Sequence, residues 1–183
     1  MSISLQPVLG VGQIRAGDDL ASILAAALRK SGPELCDGDV LVVCQKVVSK
    51  AEGRIVELST VEPGERAREL AERYDKDAAL VELVLREARE VLRSNAGHLI
   101  TATGPGFVCA NSGIDRSNQE RDGEVTLLPV DADASARALR EALGRELGVE
   151  IAVIVSDTFG RPWRLGQIDF AIGAAGIEVL DDH

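Results

Sequence analysis

Residues 151–173 read IAVIVSDTFGRPWRLGQIDFAIG, an apolar run broken by Asp157, Thr158, Arg161, Arg164, Gln167 and Asp169 around the chain's only tryptophan, Trp163. A carboxylate followed by a hydroxyl offers hard oxygens to a divalent cation. Arginine forks beside them suit phosphate or carboxylate groups. A plainer account has Asp157 cap a turn, the arginines pair with Asp157 or Asp169, and Trp163 fill core. That account explains each residue singly, but not why so many polar groups interrupt an apolar region. Asp157 falls at the C-terminal end of a strand expected over 151–155, where open sheets place ligands.

Two further clusters carry chemistry. In ANSGIDRSN, the residues Asn111, Ser112, Asp115, Ser117 and Asn118 share a loop with Gly113. Asx-turns and backbone nests use the same residue types. A lone aspartate among neutral oxygens is equally a partial Mg²⁺ or Mn²⁺ site that nucleotide phosphates complete. In VVCQKVVSKAEGR, Lys46 and Lys50 flank Ser49, in a chain with four lysines. They suit phosphate oxygens; a solvated connection between strands, with lysines discouraging edge pairing, is the alternative.

Several chemistries are disfavoured. His98 and His183 are the only histidines and form no ligand-spaced pair, so a structural zinc site is not expected. No G-x-S-x-G elbow, Cys-His signature or Walker A loop is present. Cys44 and Cys109 lie in apolar contexts that suit packing, and Cys36 completes an odd set with no C-x-x-C pattern. Metal-assisted phosphate chemistry is the class the residues point to.

The positioning elements follow from a chain of 183 residues, 45% hydrophobic and 3% aromatic, with a formal net charge of -10. That sign opposes phosphate-backbone binding, and base-stacking platforms are scarce, so nucleic acid is not an expected partner. No apolar run approaches a membrane span and no signal peptide is visible, which points to the cytoplasm. After a strand-like start, Asp18 or Asp19 caps a helix with Leu20, Ile23, Leu24, Ala27 and Leu28 on one face, ended by Gly32-Pro33. Strands are expected over 40–44 and 55–58 with a polar connection between them. Residues 67–93 read as two helices broken near 75–77. Strands follow over 99–103 and 125–130, then a helix capped by Asp133 or Ser135 and stopped by Gly148. With no strict βαβ rhythm, the class is α+β: mixed sheets with flanking helices.

The motifs GDDL, DGDVLVVCQKVVSKAEGR, GFVCANSGIDRSN, LLPVDADASA and VIVSDTFGRPWRLGQIDFAIGAAG, in this order, resemble the F420 gamma-glutamyl ligase family, the coenzyme F420-0:L-glutamate ligases. The resemblance covers residues 7–183 and implies one ligase-like domain over 1–183, in an intertwined homodimer. It implies GTP-dependent addition of L-glutamate to F420-0, with further gamma-linked glutamates in some members, through an acyl phosphate. Mg²⁺ or Mn²⁺ would be required, with K⁺ as a further candidate cation. Carried over by position, nucleotide contacts fall on Val11, Gly12, Gln13, Ile14, Gln45, Lys46, Lys50 and Asn118. Metal contacts fall on Asp115, Asp157 and Thr158. Catalysis falls on Asp115 and Asp157, with Arg161 and Arg164 facing substrate or phosphate in the motif that also holds Gln167. The resemblance further implies a C-terminal segment beyond the apolar ending GAAGIEVLDDH, which reads as cut short. A nucleotide- or deazaflavin-binding protein without ligase activity is the rival reading.

Overall fold

Asp19 starts the first helix, α1 (Leu20–Ser31), by accepting hydrogen bonds from the Ser22 N–H at 3.1 Å and the Ser22 hydroxyl at 3.0 Å. These bonds hold its carboxyl below the usual carboxylate range. Gly32 closes the helix. The chain continues as β1 (Val40–Cys44), α2 (Gln45–Ala51), β2 (Ile55–Glu57), α3 (Glu65–Tyr74), α4 (Ala78–Glu87) and β3 (Ala88–Asn95). Then come β4 (His98–Thr103), β5 (Val108–Ala110), β6 (Glu124–Thr126), α5 (Ala132–Leu147), β7 (Ala152–Gly160) and β8 (Gln167–Ala175). This computed structural model describes residues 3–95, 98–117, 119–160 and 165–179. The class is α+β, as the element pattern predicts.

The chain divides into two units. The first takes Met1–Arg54, Pro129–Asp157 and Phe170–His183. Here α1 packs on α5. Leu20, Leu24 and Leu28 are buried on one helix and Ala136, Leu139 and Leu143 on the other. Each buried leucine contributes about 1.5–3 kcal/mol. Arg29 clamps the far end, its Nη1 on the Glu146 carboxylate at 2.8 Å and its Nη2 on the Glu146 carbonyl at 2.7 Å. The sheet order is β1-β7-β8. The β1–β7 pair is parallel, from Val40 beside Ala152 to Cys44 beside Ser156. Leu41, Val43, Val153 and Val155 are buried on one side of it.

The second unit takes Ile55–Leu128 and Thr158–Asp169. Asp75 ends α3 in the left-handed conformation, and Asp77 starts α4 by accepting from the Leu80 N–H at 2.9 Å. Helix α4 is buried on two sides. Leu80 and Leu83 pack with Leu58, Val61, Val125 and Leu127, while Val81 and Val84 pack with Ala67, Ala71 and Leu99. The antiparallel β2–β6 pair and the antiparallel sheet β3-β4-β5 complete the unit.

Several sequence expectations are corrected. No strand forms over residues 3–19. The polar connection after β1 is the helix α2, whose Gln45, Val48 and Ser49 are buried. The helical reading of 67–93 fails after Glu87, because residues with good helix propensity pair instead with β4. Two register shifts in that pairing blur the alternation that would have announced a strand. The cap of α5 is Asp131, which accepts from the Ala134 N–H at 2.8 Å, rather than Asp133 or Ser135. β6 ends at Thr126, short of the expected 130, before Pro129. β7 runs five residues past Val155, because β8 continues alongside it after β1 has ended at Cys44.

Candidate functional site

Hydrogen bonds from buried groups hold the loop that carries Asp115. After β5 the chain makes a tight turn with φ of 51° at Asn111, 55° at Ser112 and 71° at Gly113. Two non-glycine residues in the left-handed region need over-determined surroundings. Ser112 is 1% exposed and supplies them. Its N–H donates to the Thr101 hydroxyl at 3.0 Å, and its own hydroxyl donates to the Val84 carbonyl at 2.9 Å and lies 3.0 Å from the Thr101 hydroxyl.

Asp115 itself is held by its backbone and by its carboxylate. It exchanges hydrogen bonds with Thr126, N–H to carbonyl at 2.9 Å and carbonyl to N–H at 2.8 Å. Oδ1 accepts from the Ser117 N–H at 2.7 Å, an Asx-turn that fixes the carboxylate's rotation. The Gln119 Nε2 donates to the Asp115 carbonyl at 3.1 Å, and the same amide meets the buried Thr126 hydroxyl. A half-buried carboxylate on so fixed a backbone is preorganised.

In the first unit, β1 and β7 bring two groups of predicted residues to one end of a parallel pair. Cys44 lies beside Ser156, so Gln45 and Lys46 begin α2 where Asp157 continues β7. Lys46 and Lys50, four apart on α2, share a helix face. Gln45 is 1% exposed and donates to the Ser49 hydroxyl at 2.6 Å; Lys50 is 8% exposed. The N-terminal segment meets the other end of this helix, through the Gly17 N–H on the Ala51 carbonyl at 2.9 Å. Within that segment Ile14 is buried, Val11 half-buried, Gln13 exposed, and Gly12 has φ of 70° with no atom within 4 Å of where a Cβ would stand.

Thr158 and Asp169 belong to the second unit, where the Thr158 hydroxyl donates to the Asp169 carboxylate. Asp157 and Thr158 are consecutive residues of β7, so their side chains leave opposite faces of the strand. They do not form one side-by-side donor pair. Asn118, Arg161 and Arg164 lie outside the described residues. Gln167, the first residue of β8, is exposed.

The sequence offered Asp169 only as a pairing partner for the arginines, not for Thr158, and gave no role to Thr101, Gln119 or Thr126. Thr101 is buried in β4 together with its neighbours Ala102 and Thr103, and no sequence signal marked it. Among the described residues no group of three or more His, Cys, Asp and Glu is gathered for a metal ion. The donors present are carboxylate and hydroxyl oxygens. They suit Mg²⁺ or Mn²⁺, which take few protein ligands and complete their shells with water and phosphate. Zinc would call for nitrogen or sulfur.

A family profile described as F420-0:Gamma-glutamyl ligase matches residues 9–183. The coenzyme F420:L-glutamate ligase of Methanothermobacter thermautotrophicus is 44% identical over 183 residues, covering all of this chain and 72% of that protein. The proteins of the same name from Methanopyrus kandleri and Archaeoglobus fulgidus are 45% and 44% identical, each over 182 residues and 70% of its own length. Similarity of that extent, running through all three clusters of polar residues, shows that the chain belongs to the F420-0:gamma-glutamyl ligase family.

Proposed function

We propose that this protein joins L-glutamate to coenzyme F420-0, and in some cases extends the tail by further gamma-linked glutamates, using GTP and a divalent cation. The observation that carries the reading is the similarity, over the whole of this chain and 70–72% of their own length, to proteins named coenzyme F420:L-glutamate ligase. The fixed carboxylate of Asp115 and the lysine-bearing helix α2 are the parts such a reaction needs.

In this reading the F420-0 carboxylate attacks the γ-phosphorus of GTP, GDP leaves, and an acyl phosphate forms. The glutamate amine then attacks the acyl carbon, phosphate departs with the bonding pair, and the amine proton passes to solvent. Lys46 and Lys50 bind phosphate oxygens as point charges. Val11, Gly12, Gln13 and Ile14 line the nucleotide, with Gln45 and Asn118. Asp115 and Asp157 would offer carboxylate oxygens to divalent metal and Thr158 a hydroxyl oxygen from the opposite face of β7, while Arg161 and Arg164 orient anionic substrate. A bound Mg²⁺ or Mn²⁺ would neutralise charge developing on the transferred phosphoryl group. K⁺ is carried as a further cation to test.

The same reading places the enzyme in the cytoplasm as a homodimer. None of the three cysteines is in a disulfide, and no helix among the described residues is long and apolar enough to cross a membrane. Val40 and Val42 stand 45% and 59% exposed on β1, an apolar surface a second copy would cover.

The test is to mix purified protein with GTP, Mn²⁺, L-glutamate and F420-0 and to look for glutamylated product and GDP by mass spectrometry. Asp115→Asn and Asp157→Asn are expected to abolish turnover while leaving the fold intact. GTP binding without GDP release would favour a nucleotide-binding protein over a ligase.

A further inference from the structure

We propose that Asp169 is a positioning residue for Thr158, taking the threonine's hydroxyl proton so that the hydroxyl oxygen presents its lone pairs to a divalent cation. The inference rests on the reading of Thr158 as a cation ligand given above. Its own observation is the hydrogen bond from the Thr158 Oγ1 to the Asp169 Oδ1, made between the neighbouring strands β7 and β8.

A neutral hydroxyl coordinates a cation only through oxygen, so the direction of its proton decides whether a lone pair faces the ion. A carboxylate that accepts the proton fixes the rotor and raises electron density on the oxygen. Metal-bound histidines use carboxylates in the same way. The bond has little structural purpose of its own. Thr158 and Asp169 are both exposed, so it satisfies no buried group, and exposed pairs of this kind add little to folding. Phe159, next to Thr158, is buried and anchors the strand at this point.

Mn²⁺ binding, measured from the electron paramagnetic resonance signal of free Mn²⁺ in the presence of guanylyl imidodiphosphate, tests the assignment alongside thermal melting. Asp169→Ala should weaken Mn²⁺ binding about tenfold. Asp169→Asn, which keeps an acceptor oxygen, should recover most of the loss, and Asp169→Ala should add nothing in a Thr158→Ala background. If the alanine variant does not melt cooperatively, Asp169→Glu, which keeps the charge but displaces the carboxylate, should show a several-fold loss instead. Unchanged Mn²⁺ affinity in a folded variant, or losses that add in the double variant, overturns the positioning role and leaves the ligase reading standing. Mn²⁺ binding that is absent in the wild type, or insensitive to Thr158→Ala, overturns the metal role of Thr158 and this inference together.

Discussion

Gly173 on β8 lies directly against Ala132, the first residue of α5. A Cβ at Gly173 would stand 2.3 Å from both the carbonyl carbon and the oxygen of Ala132, and 2.7 Å from its Cβ. The next residue completes the contact, the Ala174 N–H donating to the Asp133 carboxylate at 2.8 Å. Glycine is required here for close approach. Gly173→Ala is therefore expected to destabilise the protein by about 2–3 kcal/mol, because the obstacle is backbone that cannot swing aside. Urea denaturation with an unchanged slope would register it.

The left-handed turn before Asp115 depends on two buried hydroxyls. Thr101→Val keeps the shape and removes the acceptor of the Ser112 N–H, leaving a buried donor unpaired at a cost of about 1–3 kcal/mol. Ser112→Ala removes the partner of the Val84 carbonyl. Because the two residues share one network, the double variant should lose less than the sum. Additive losses in chemical denaturation would show that they act separately.

Glu82 supplies a pH dependence. Its carboxyl is held below the ordinary glutamate value by the Gly64 N–H at 3.0 Å, and by the Arg86 Nε at 2.8 Å. A depressed folded-state pKa contributes stability that is present above the unfolded value and is lost as pH falls through the folded one. The melting temperature should thus decline as pH drops below about 4, and Glu82→Gln should flatten part of that decline. An acid limb of the same slope in the variant would remove Glu82 from the account.

Lys46 is the second residue of α2, the helix that follows β1 where Asp157 continues the neighbouring strand. Lys46→Met keeps the aliphatic stem and removes the charge. If this lysine binds phosphate, KM for GTP should rise about tenfold or more while KM for L-glutamate changes little. Equal effects on both substrates would point to a structural role.

The parts of the fold that were legible in the sequence are those fixed locally. Asp19 and Gly32 bound α1, Gly148 stops α5 in the left-handed conformation, and the break between α3 and α4 falls at Asp75 to Asp77. What was not legible was set by tertiary pairing. Ala88 to Asn95 have the composition of a helix and become a strand because β4 is there to pair with. The strand end placed at Val155 moved to Gly160 because β8 lies alongside. The same holds for the site. The motifs single out Asp115 and Thr158 as candidates, whereas the hydrogen bonds Gln119 makes to Asp115 and Thr158 makes to Asp169 are visible only once the chain is folded.

The most direct test of the central claim follows oxygen. F420-0 carrying heavy oxygen in its acceptor carboxylate is incubated with the protein, GTP, Mn²⁺ and L-glutamate, and both products are analysed by mass spectrometry. The expected products are F420-0 extended by a glutamyl residue and inorganic phosphate carrying one heavy oxygen, because an acyl phosphate gives up the carboxylate oxygen when the amine attacks. Absence of the glutamylated product, or its formation with unlabelled phosphate, would contradict the central claim.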